Sequence, residues 1–490
     1  MQDYCGVNKI MSIYILTYII FCVGIGCFCL FILGLDKKES EQVPLRGGGM
    51  TTNSGVNKEG SPFAGIFMLN LLNYFFVSTV FLGGFLLFTS PFEFYDSYIF
   101  ILLFLFIYTI RYHKIDFNRI FLVIVLVLTI FSLVNVYLGK DTVFLMMKQV
   151  SGILLTGTAY YLLIIINKYD IDKLFKIYLQ IALIVAMIGI FQEFSYLLGF
   201  KSGYDYSGFI QKWSLCPATG GMLRVNSIFM EPSHFAITMA PAFFVSLSNF
   251  VGKKPMYLNT VSIWGNTIII ISYILTFSAI AYMAIAISLL LIFNVKKFKS
   301  FLSVSVIMLI LIFAAYKYIP EIQMRVDSTV GLVTGSTKVD NSHLSVYALI
   351  SNGFVAYKSF MDSPVFGRGL GSHPLSYDKF FLPNVSNGLW SRNYPLANRQ
   401  DAGSLFFRLV SETGLFGVIV VLYFIFKFRL KMRDTHGLVM LSNGIFILFI
   451  LQLLKQGHYF YDGLFFFVWM YYFAYQSYHK TNLNNPESES

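Results

Sequence analysis

Charged residues are scarce in this sequence. Asp, Glu, Lys and Arg make up only 12% of its 490 residues, whereas soluble globular domains carry roughly 25%. So few charges cannot cover the surface of a water-soluble protein of this length. Hydrophobic residues reach 56% of the chain and aromatic residues 18%. The composition excludes a soluble globular protein and indicates one that lies within a membrane.

Cysteine is also scarce, with five residues in the whole chain. Three of them, Cys22, Cys27 and Cys29, lie within one apolar run near the N-terminus, which leaves Cys5 and Cys216 outside such runs. This distribution offers neither a disulfide framework nor the spacing of metal ligands. We therefore expect neither a disulfide framework nor a metal site built from cysteines.

The sequence is rich in long apolar runs. They are about 17 to 26 residues long, the length that crosses a bilayer core of roughly 30 Å, and they are continuous rather than alternating. We predict an all-α, polytopic integral membrane helical bundle with about thirteen transmembrane helices. The predicted spans are 10–34, 63–88, 97–110, 119–138, 143–166, 173–199, 234–250, 261–277, 279–294, 300–319, 403–426, 437–454 and 458–475. Ser278 divides a stretch of double length into the eighth and ninth spans.

Basic residues are concentrated in every second predicted loop. The groups are Arg111, Lys114 and Arg119; Lys168, Lys173 and Lys176; Lys253 and Lys254; Lys296, Lys297 and Lys299; and Lys427, Arg429, Lys431 and Arg433. This alternation follows the positive-inside rule, so it predicts an outer N-terminus, a cytoplasmic C-terminus and long outer loops at 200–233 and 320–402. The net charge of +11 then reflects membrane topology, and we expect no binding to nucleic acid.

The spans and loops divide the chain into five regions. These are an N-terminal helix and flexible cytoplasmic linker (1–62), the first part of the bundle (63–319), a large extracytoplasmic loop between the tenth and eleventh helices (320–402), the C-terminal membrane helices (403–476) and a cytoplasmic tail (477–490). Long polar loops cost a membrane protein ordering entropy and usually have a function. We therefore expect functional residues in and beside the long loops.

One polar segment leads from the first long loop into the seventh span. Pro232 suits the first position of a helix, and the free N–H groups of a helix start can hold an anion such as a phosphate. Arg224 would add a bidentate phosphate contact. Glu231 and His234 could each accept a proton. The alternative is that Glu231 only caps the helix and Arg224 reaches toward lipid headgroups.

The second long loop ends in a segment that mixes aromatic and cationic residues. Its side chains of interest are Trp390, Arg392, Tyr394 and Arg399. Aromatic rings can stack on a sugar while a guanidinium takes the charge of an attached phosphate. An interfacial aromatic belt with basic anchors explains the same composition.

Three glycines at alternate positions, Gly367, Gly369 and Gly371, lie earlier in that loop. The spacing is similar to a nucleotide-binding motif, but the strand–helix–strand context that such a motif needs is missing. A tight turn that brings the backbone close to a ligand or a helix is the better interpretation. His343 and His373 are expected to be solvated loop residues.

Charged residues also occur inside the predicted spans. Arg408 and Glu412 of the eleventh span are four residues apart, which puts them on one face of a helix. Charges within a membrane helix indicate function, although this pair could simply neutralise itself and fix packing. Lys148, Glu193 and Asp462 carry the same expectation with less weight.

Four short patterns follow one another between about residues 220 and 417. They are Arg224 with Phe229, Pro232 and Ala236; Leu275-Thr276-Phe277-Ser278; Ser363 to Gly371 (SPVFGRGLG); and Ser404-Leu405 with Glu412 to Gly417 (ETGLFG). In this order and spacing they resemble the bacterial O-antigen polymerase and O-antigen ligase family, whose members process lipid-linked polysaccharide at the outer face of the inner membrane. Ser227 stands where the family pattern has Gly, and Ala279 where an Arg often follows.

The resemblance implies an inverting, metal-independent glycosyltransferase that uses no cofactor. It would move a growing glycan from undecaprenyl pyrophosphate onto the terminal sugar hydroxyl of a lipid-linked repeat unit. The cationic groups expected at the leaving pyrophosphate are Arg224 and Arg399, supported by Arg408 or Arg392. Trp390 and Tyr394 would contact the sugar. The expected proton acceptors are Glu231 first and His234 second.

Polymerase is favoured over ligase, because ligases carry a His where the large loop re-enters the membrane and Asp401–Ser404 contains none. The alternatives are an O-antigen ligase and a flippase or transporter of the lipid-linked oligosaccharide, although a transporter would not need the large outer loop. The expected location is the bacterial cytoplasmic membrane. The expected partners are the undecaprenyl-pyrophosphate-linked glycan, the lipid bilayer, a chain-length regulator and a flippase, and the polymer would be O-antigen or capsule.

Overall fold

The computed structural model describes residues 62–88, 93–217, 221–251, 255–293, 344–385, 396–431, 436–460 and 463–484, together with isolated positions between 306 and 331. This part of the chain is mostly helical, and its sheet is a single pair of short antiparallel strands. The predicted span 10–34 and nearly all of the span 300–319 lie outside the described residues.

The elements follow one another in this order: α1 Pro62–Ser78, β1 Leu86–Phe88, β2 Phe94–Tyr95, α2 Asp96–Tyr112, α3 Arg119–Tyr137, α4 Val143–Ile166, α5 Ile171–Leu197, α6 Lys201–Tyr204, α7 Pro232–Val251, α8 Ile263–Ile274, α9 Ala279–Ile292, α10 Leu344–Asp362, α11 His373–Phe380, α12 Leu405–Lys427, α13 Gly437–Lys455 and α14 Leu464–Asn484. Short 3-10 turns occur at Thr79–Phe81 and Leu382–Asn384.

Six of these helices are long and apolar enough to cross a membrane: α3, α4, α5, α7, α12 and α13. Their bounds are close to those of six predicted spans. Because helices of this length and hydropathy bury their backbone polar groups internally, they indicate a multi-pass membrane protein. The six helices are consistent with the predicted all-α class.

The second predicted span, 63–88, is wrong in its last third. Helix α1 ends at Ser78, and β1 begins at Leu86 and pairs with β2. Gly84 lies in the turn between them, where a Cβ atom would come within 2.8 Å of Ile210. The chain therefore leaves the helix because it packs against the 200–233 loop, a tertiary effect that apolar composition does not record.

The predicted division at Ser278 is confirmed as a break between α8 and α9. Phe277 adopts a left-handed φ of 42° there. The two helices have 12 and 14 residues, fewer than the ~20 that one helix needs to span a bilayer core. The carbonyl of Leu275 at the break accepts a 3.0 Å hydrogen bond from the N–H of Val225. Broken helices in membrane proteins require such partners for their backbone groups.

Helices α7 and α13 are the most buried of the six and pack together in antiparallel directions. Gly444 lies at their crossing, where a Cβ atom would be 2.8 Å from the Cα atom of Pro241. Helix α3 is the least buried of the six, and seven of its large apolar residues are exposed. The start of α7 and the end of α13 therefore meet at one end of the bundle centre.

Helix α12 is interrupted at Gly414, which has φ 60° and ψ −153°. The glycine-rich turn after α10 fills the break. Arg368 and Gly369 donate from their N–H groups to the carbonyls of Ser411 and Glu412 at 3.0 and 2.9 Å, and Leu415 and Phe416 donate to Pro364 and Val365 at 2.9 and 3.0 Å. The interpretation of the three glycines as a tight turn against a helix is confirmed.

Candidate functional site

The segment Lys455–His458 ends α13 and begins the loop to α14. Each of its four residues contacts a different side chain near the bundle end. Lys455 Nζ is 3.9 Å from Glu231 Oε2, Gln456 Nε2 is 3.0 Å from His234 Nδ1, the Gly457 carbonyl accepts from Arg408 Nη1 at 3.0 Å, and His458 Nε2 is 3.6 Å from Asp401 Oδ2. We call these four contacts and the neighbouring Arg224 the charged cluster.

The start of α7 carries two members of the charged cluster. Pro232 is the first helical residue, as predicted, and the carbonyl of Glu231 accepts from the N–H groups of His234 and Phe235 at 3.1 and 3.3 Å. The Glu231 carboxylate is half-exposed and accepts from Ser233 Oγ at 3.1 Å. Its main-chain carbonyl therefore accepts the first bonds of the helix while its carboxylate faces Lys455.

The charge state of Glu231 follows from its neighbours. Partial burial acts to raise the pKa of Glu231, but Lys455, His234, Ser233 and Arg224 together hold it below its ordinary value. The carboxylate is consequently ionised at neutral pH. It can accept a proton, but its low pKa makes it a weak base.

Arg224 is held by its main chain rather than by its side chain. Its N–H donates to the carbonyl of Cys216 at 2.9 Å, and the next residue is tied to the break between α8 and α9. The Nε atom of Arg224 is buried and has no hydrogen-bond partner among the described residues. A buried guanidinium nitrogen without a partner is costly unless a ligand supplies one.

Helix α5 fixes the segment that follows Arg224. The side chain of Gln192 donates to Asn226 Oδ1 at 2.9 Å and accepts from the N–H of Ser227 at 2.8 Å. Ser227 itself adopts a left-handed φ of 50°, and its hydroxyl donates to the Val185 carbonyl at 2.8 Å. Left-handed geometry favours glycine, the residue that the family pattern has at this position.

Arg408 and Glu412 lie in the first half of α12 and are both about 1% exposed. The Arg408 guanidinium donates from Nε to Glu412 Oε1 at 3.0 Å, and its Cζ lies 4.6 Å from the centre of the Tyr459 ring. Glu412 also accepts from Tyr459 Oη at 2.8 Å and from the His373 N–H at 3.4 Å. The pair forms the predicted contact, and Arg408 Nη1 joins it to the cluster at the Gly457 carbonyl.

His373 is buried, so the expectation of a solvated loop residue is wrong; His343 lies outside the described residues. His373 Nδ1 is 2.9 Å from Ser411 Oγ, and His373 Nε2 is 3.0 Å from Asn352 Oδ1. Burial lowers the pKa of His373 to about 3, helped by the positive charges of Arg408 and Arg399. The imidazole is therefore a neutral structural link between α10, α11 and α12.

The structure places Arg399 beside α11. Its guanidinium Nε donates to Asp378 Oδ1 at 2.6 Å, and Nη2 donates to the other carboxylate oxygen. The fork that the sequence assigned to a phosphate is thus occupied by a carboxylate, and no described contact joins Arg399 to Arg224 or Glu231. Trp390, Arg392 and Tyr394 lie outside the described residues.

A second group of charges lies near His458. Lys212 pairs with Glu93 at 2.5 Å and donates to Tyr95 Oη at 3.0 Å. Gly152 packs on the ring of Phe460. Lys148 is one helical turn earlier, so it lies on the same face of α4 as Gly152, toward the loop between α13 and α14. Glu193 accepts a hydrogen bond from the Leu223 N–H at 3.0 Å and so links α5 to the segment that carries Arg224. Asp462 lies outside the described residues.

A cavity of 630 Å³ lies at the opposite end of the bundle. It is lined by the turn between α4 and α5, the loop between α7 and α8, and the start of α13. The charged cluster is far from this cavity, because the end rather than the start of α13 carries it. Cavity size therefore does not mark the cluster, which is defined by converging charges.

No model of a protein family matches this chain, and no curated protein matches it. The likeness to O-antigen polymerases and ligases therefore depends on the four short patterns. The structure brings these patterns together in pairs. The first touches the second through Val225 and Leu275, and the third fills the break in the fourth at Gly414.

Sequence reasoning missed Lys455, Gln456 and His458 as members of the site. The available signal was a run of polar residues between two apolar spans, since charged groups beside membrane helices are expensive and tend to be functional. Asp401 was considered only as part of a stretch without histidine. In the structure, His458 from the loop between α13 and α14 lies beside this stretch, 3.6 Å from the Asp401 carboxylate.

Proposed function

We propose that this protein is a polysaccharide polymerase, which joins undecaprenyl-pyrophosphate-linked oligosaccharide repeat units at the outer face of the bacterial cytoplasmic membrane. The observation that supports this most is the Lys455–His458 segment. It brings the start of α7, the start of α12 and the end of α13 into one charged cluster. Two of these three elements carry residues that the sequence had singled out.

The proposed reaction is an inverting displacement at the anomeric carbon of the donor glycan. An oxygen of the acceptor sugar forms the new bond to this carbon as the bond to the lipid pyrophosphate breaks. The pyrophosphate leaves with the bonding electron pair, so its negative charge increases. Arg224, whose Nε has no partner among the described residues, and Lys455, which is partly exposed, would supply positive charge at this point. Such stabilisation of developing charge is commonly the largest catalytic effect.

The acceptor hydroxyl also needs a group that takes its proton. The sequence names Glu231 first and His234 second, and both belong to the charged cluster. Glu231 is ionised but is held by Lys455 and Ser233. His234 is held by Gln456. The start of α7 therefore offers proton acceptors that are already anchored.

The proposed orientation places the charged cluster at the outer face. It is supported by the predicted cytoplasmic loops, because Lys168, Lys176 and Lys431 all lie near the end of the bundle that is opposite to the cluster. Cytoplasmic loops of membrane proteins are enriched in such residues. Reporters inserted near Lys212 and Lys431 test the orientation. A cytoplasmic signal near Lys212 would contradict the proposed site of reaction.

In vitro extension tests the proposed function. The purified protein is reconstituted in vesicles with a lipid-linked repeat unit, and products are separated by size. A ladder of longer glycans on lipid is the expected result, with Arg224→Ala as the inactive variant. Arg111→Ala, an exposed arginine at the end of α2, is the matched control. Correctly inserted protein that never joins two repeat units would contradict the proposal.

An O-antigen ligase is the second candidate, and one observation favours it. His458 Nε2 lies 3.6 Å from Asp401 Oδ2 in the turn before α12, the segment where the sequence lacks the histidine of the ligases. The acceptor separates the two functions. A strain without a polymerase bears at most one repeat unit on its surface glycan. A strain without a ligase accumulates long polymer on the lipid carrier, which would favour the second candidate.

A further inference from the structure

We infer that His458, which lies beside Asp401, is a further catalytic residue of this site and that it, rather than Glu231 or His234, takes the proton of the acceptor hydroxyl. The inference rests on the proposed function and adds a residue that neither the sequence patterns nor the start of α7 provides. Its basis is a contact between two loops that are distant in the sequence. His458 Nε2 lies 3.6 Å from Asp401 Oδ2, and both side chains are partly exposed, at 27% and 20%.

Two hydrogen bonds fix the peptide group that joins Gly457 to His458. The Gly457 carbonyl accepts from Arg408 Nη1 at 3.0 Å, and the N–H of His458 donates to Gln456 Oε1 at 3.4 Å. A side chain at Gly457 would collide with the main chain of Asp401, so glycine permits the close approach of the two loops. The imidazole and the carboxylate are therefore positioned relative to each other by buried contacts.

A carboxylate beside an imidazole is the arrangement in which a histidine serves as a general base. The Asp401 carboxylate, 3.6 Å from Nε2, would stabilise the imidazolium that forms. In the reaction step, the acceptor O–H bond breaks and its proton moves to Nδ1 of His458. The oxygen electron pair forms the bond to the anomeric carbon. The bond from that carbon to the pyrophosphate breaks, and its electron pair leaves with the pyrophosphate.

Charges around the ring favour a role that depends on the bound donor. Burial lowers the pKa of His458 well below its ordinary value; Arg408, Lys212 and Lys148 lower it further, while Glu93 opposes them. The imidazole is thus neutral, as a proton acceptor must be. A pyrophosphate placed among these cations would counter their effect and raise the basicity of the ring. Proton transfer would then be favoured only once the donor is bound.

Asp401 is a positioning residue in this scheme. Burial raises the pKa of Asp401, while Arg408, Lys455 and His234 act to lower it. Its N-terminal neighbours lead into the large loop, and its carboxylate accepts from the Gly403 N–H at 3.2 Å. The carboxylate therefore joins the turn before α12 to the loop after α13.

The test compares His458→Gln with Glu231→Gln in the reconstituted extension reaction. His458→Gln should lower the rate by about a hundredfold or more, the range usual for loss of a general base. The wild-type rate should rise with pH through one inflection, which His458→Gln should abolish and Glu231→Gln should retain. Asp401→Asn should move the inflection to lower pH, because the imidazolium loses its counter-charge. His479→Gln, an exposed histidine of α14, is the control.

Chemical rescue keeps the test decisive if the Gln variant inserts poorly. Added imidazole should restore part of the rate of His458→Ala and none of that of Arg224→Ala. A His458→Gln variant with a rate within threefold of wild type and an unchanged pH profile would overturn the inference and leave the proposed function standing. A wild-type protein that never extends a repeat unit would overturn the proposed function itself.

Discussion

The main-chain N–H of Val225 donates a 3.0 Å hydrogen bond to the carbonyl of Leu275. This single bond joins the segment that carries Arg224 to the break between α8 and α9. It satisfies a carbonyl that the broken helix exposes, and it positions the preceding guanidinium without using the guanidinium itself. Arg224 is consequently fixed at its backbone and available at its side chain.

The first prediction concerns that side chain. Arg224→Ala should reduce the extension rate about a hundredfold, since loss of one preorganised donor costs about 3 kcal/mol of transition-state stabilisation. Arg224→Lys should recover only part of the rate, because an ammonium lacks the planar fork. The rate is measured at matched protein levels in vesicles. Full activity of the Ala variant would remove Arg224 from the site.

Arg399 should behave differently, because its fork is occupied by Asp378. Arg399→Ala should lower thermal stability and activity together, whereas the exchanged double variant Arg399→Asp with Asp378→Arg should recover both. Melting in detergent and extension rate are measured on the same samples. A double variant that regains stability but stays inactive would indicate that the guanidinium of Arg399 contacts substrate.

The glycine turn in the α12 break gives a stability prediction. Gly367→Ala should destabilise the protein by about 2 kcal/mol or more, because a left-handed φ costs non-glycine residues about 1–2 kcal/mol and the new Cβ would also collide with the backbone of Glu412 and Thr413. Gly208→Ala is the control, since open space surrounds that position. Equal melting temperatures for the two variants would contradict the packing of the turn.

Asp141 gives a pH prediction. Burial, helped by the negative charge of Glu412, raises the pKa of Asp141 to about 7, while its bond to the Thr142 N–H and the charge of Arg368 act to lower it. Its Oδ2 atom has no hydrogen-bond partner among the described residues. Since the folded protein holds this proton more tightly than the unfolded chain, whose Asp pKa is about 3.9, stability should fall as pH rises from about 4 to about 7.

Melting temperatures of wild type and Asp141→Asn at pH 5 and pH 8 test this dependence. The melting temperature of Asp141→Asn should change less between pH 5 and pH 8 than that of the wild type, because the variant has no carboxyl proton to release at this position. Asp116→Asn, at the more exposed carboxylate between α2 and α3, is the control. A wild-type protein that is more stable at pH 8 than at pH 5 would contradict the raised pKa of Asp141.

Sequence reasoning located most helices because apolar length is a local property. It placed α7 at Pro232 and divided α8 from α9 at Ser278, where proline and serine mark helix boundaries. It did not foresee the end of α1 at Ser78 or the burial of His373. Both depend on packing between segments that are distant in the sequence, because Gly84 packs on Ile210 and His373 contacts Ser411, 38 residues away.

The candidate site was predictable only in part for the same reason. Arg224, Glu231 and His234 are neighbours in the sequence and could be recognised as a group. Lys455 and His458 join them because α13 runs antiparallel to α7, and the hydropathy of a helix does not specify its neighbour. Arg399 was assigned to a phosphate because its partner, Asp378, lies in a separate part of the loop.

The interruption at Gly414 divides α12 into two helical segments. The longer one lies in the apolar bundle. The shorter one begins at Leu405, carries Arg408 and Glu412, and is bonded through Ser411 and Glu412 to the turn after α10. A displacement of that turn would therefore carry the buried ion pair, and Gly457 bound to it, along with the large loop. The turn after α10 therefore sets the position of the buried ion pair beside the candidate site, while the segment of α12 after Gly414 is held by the apolar bundle.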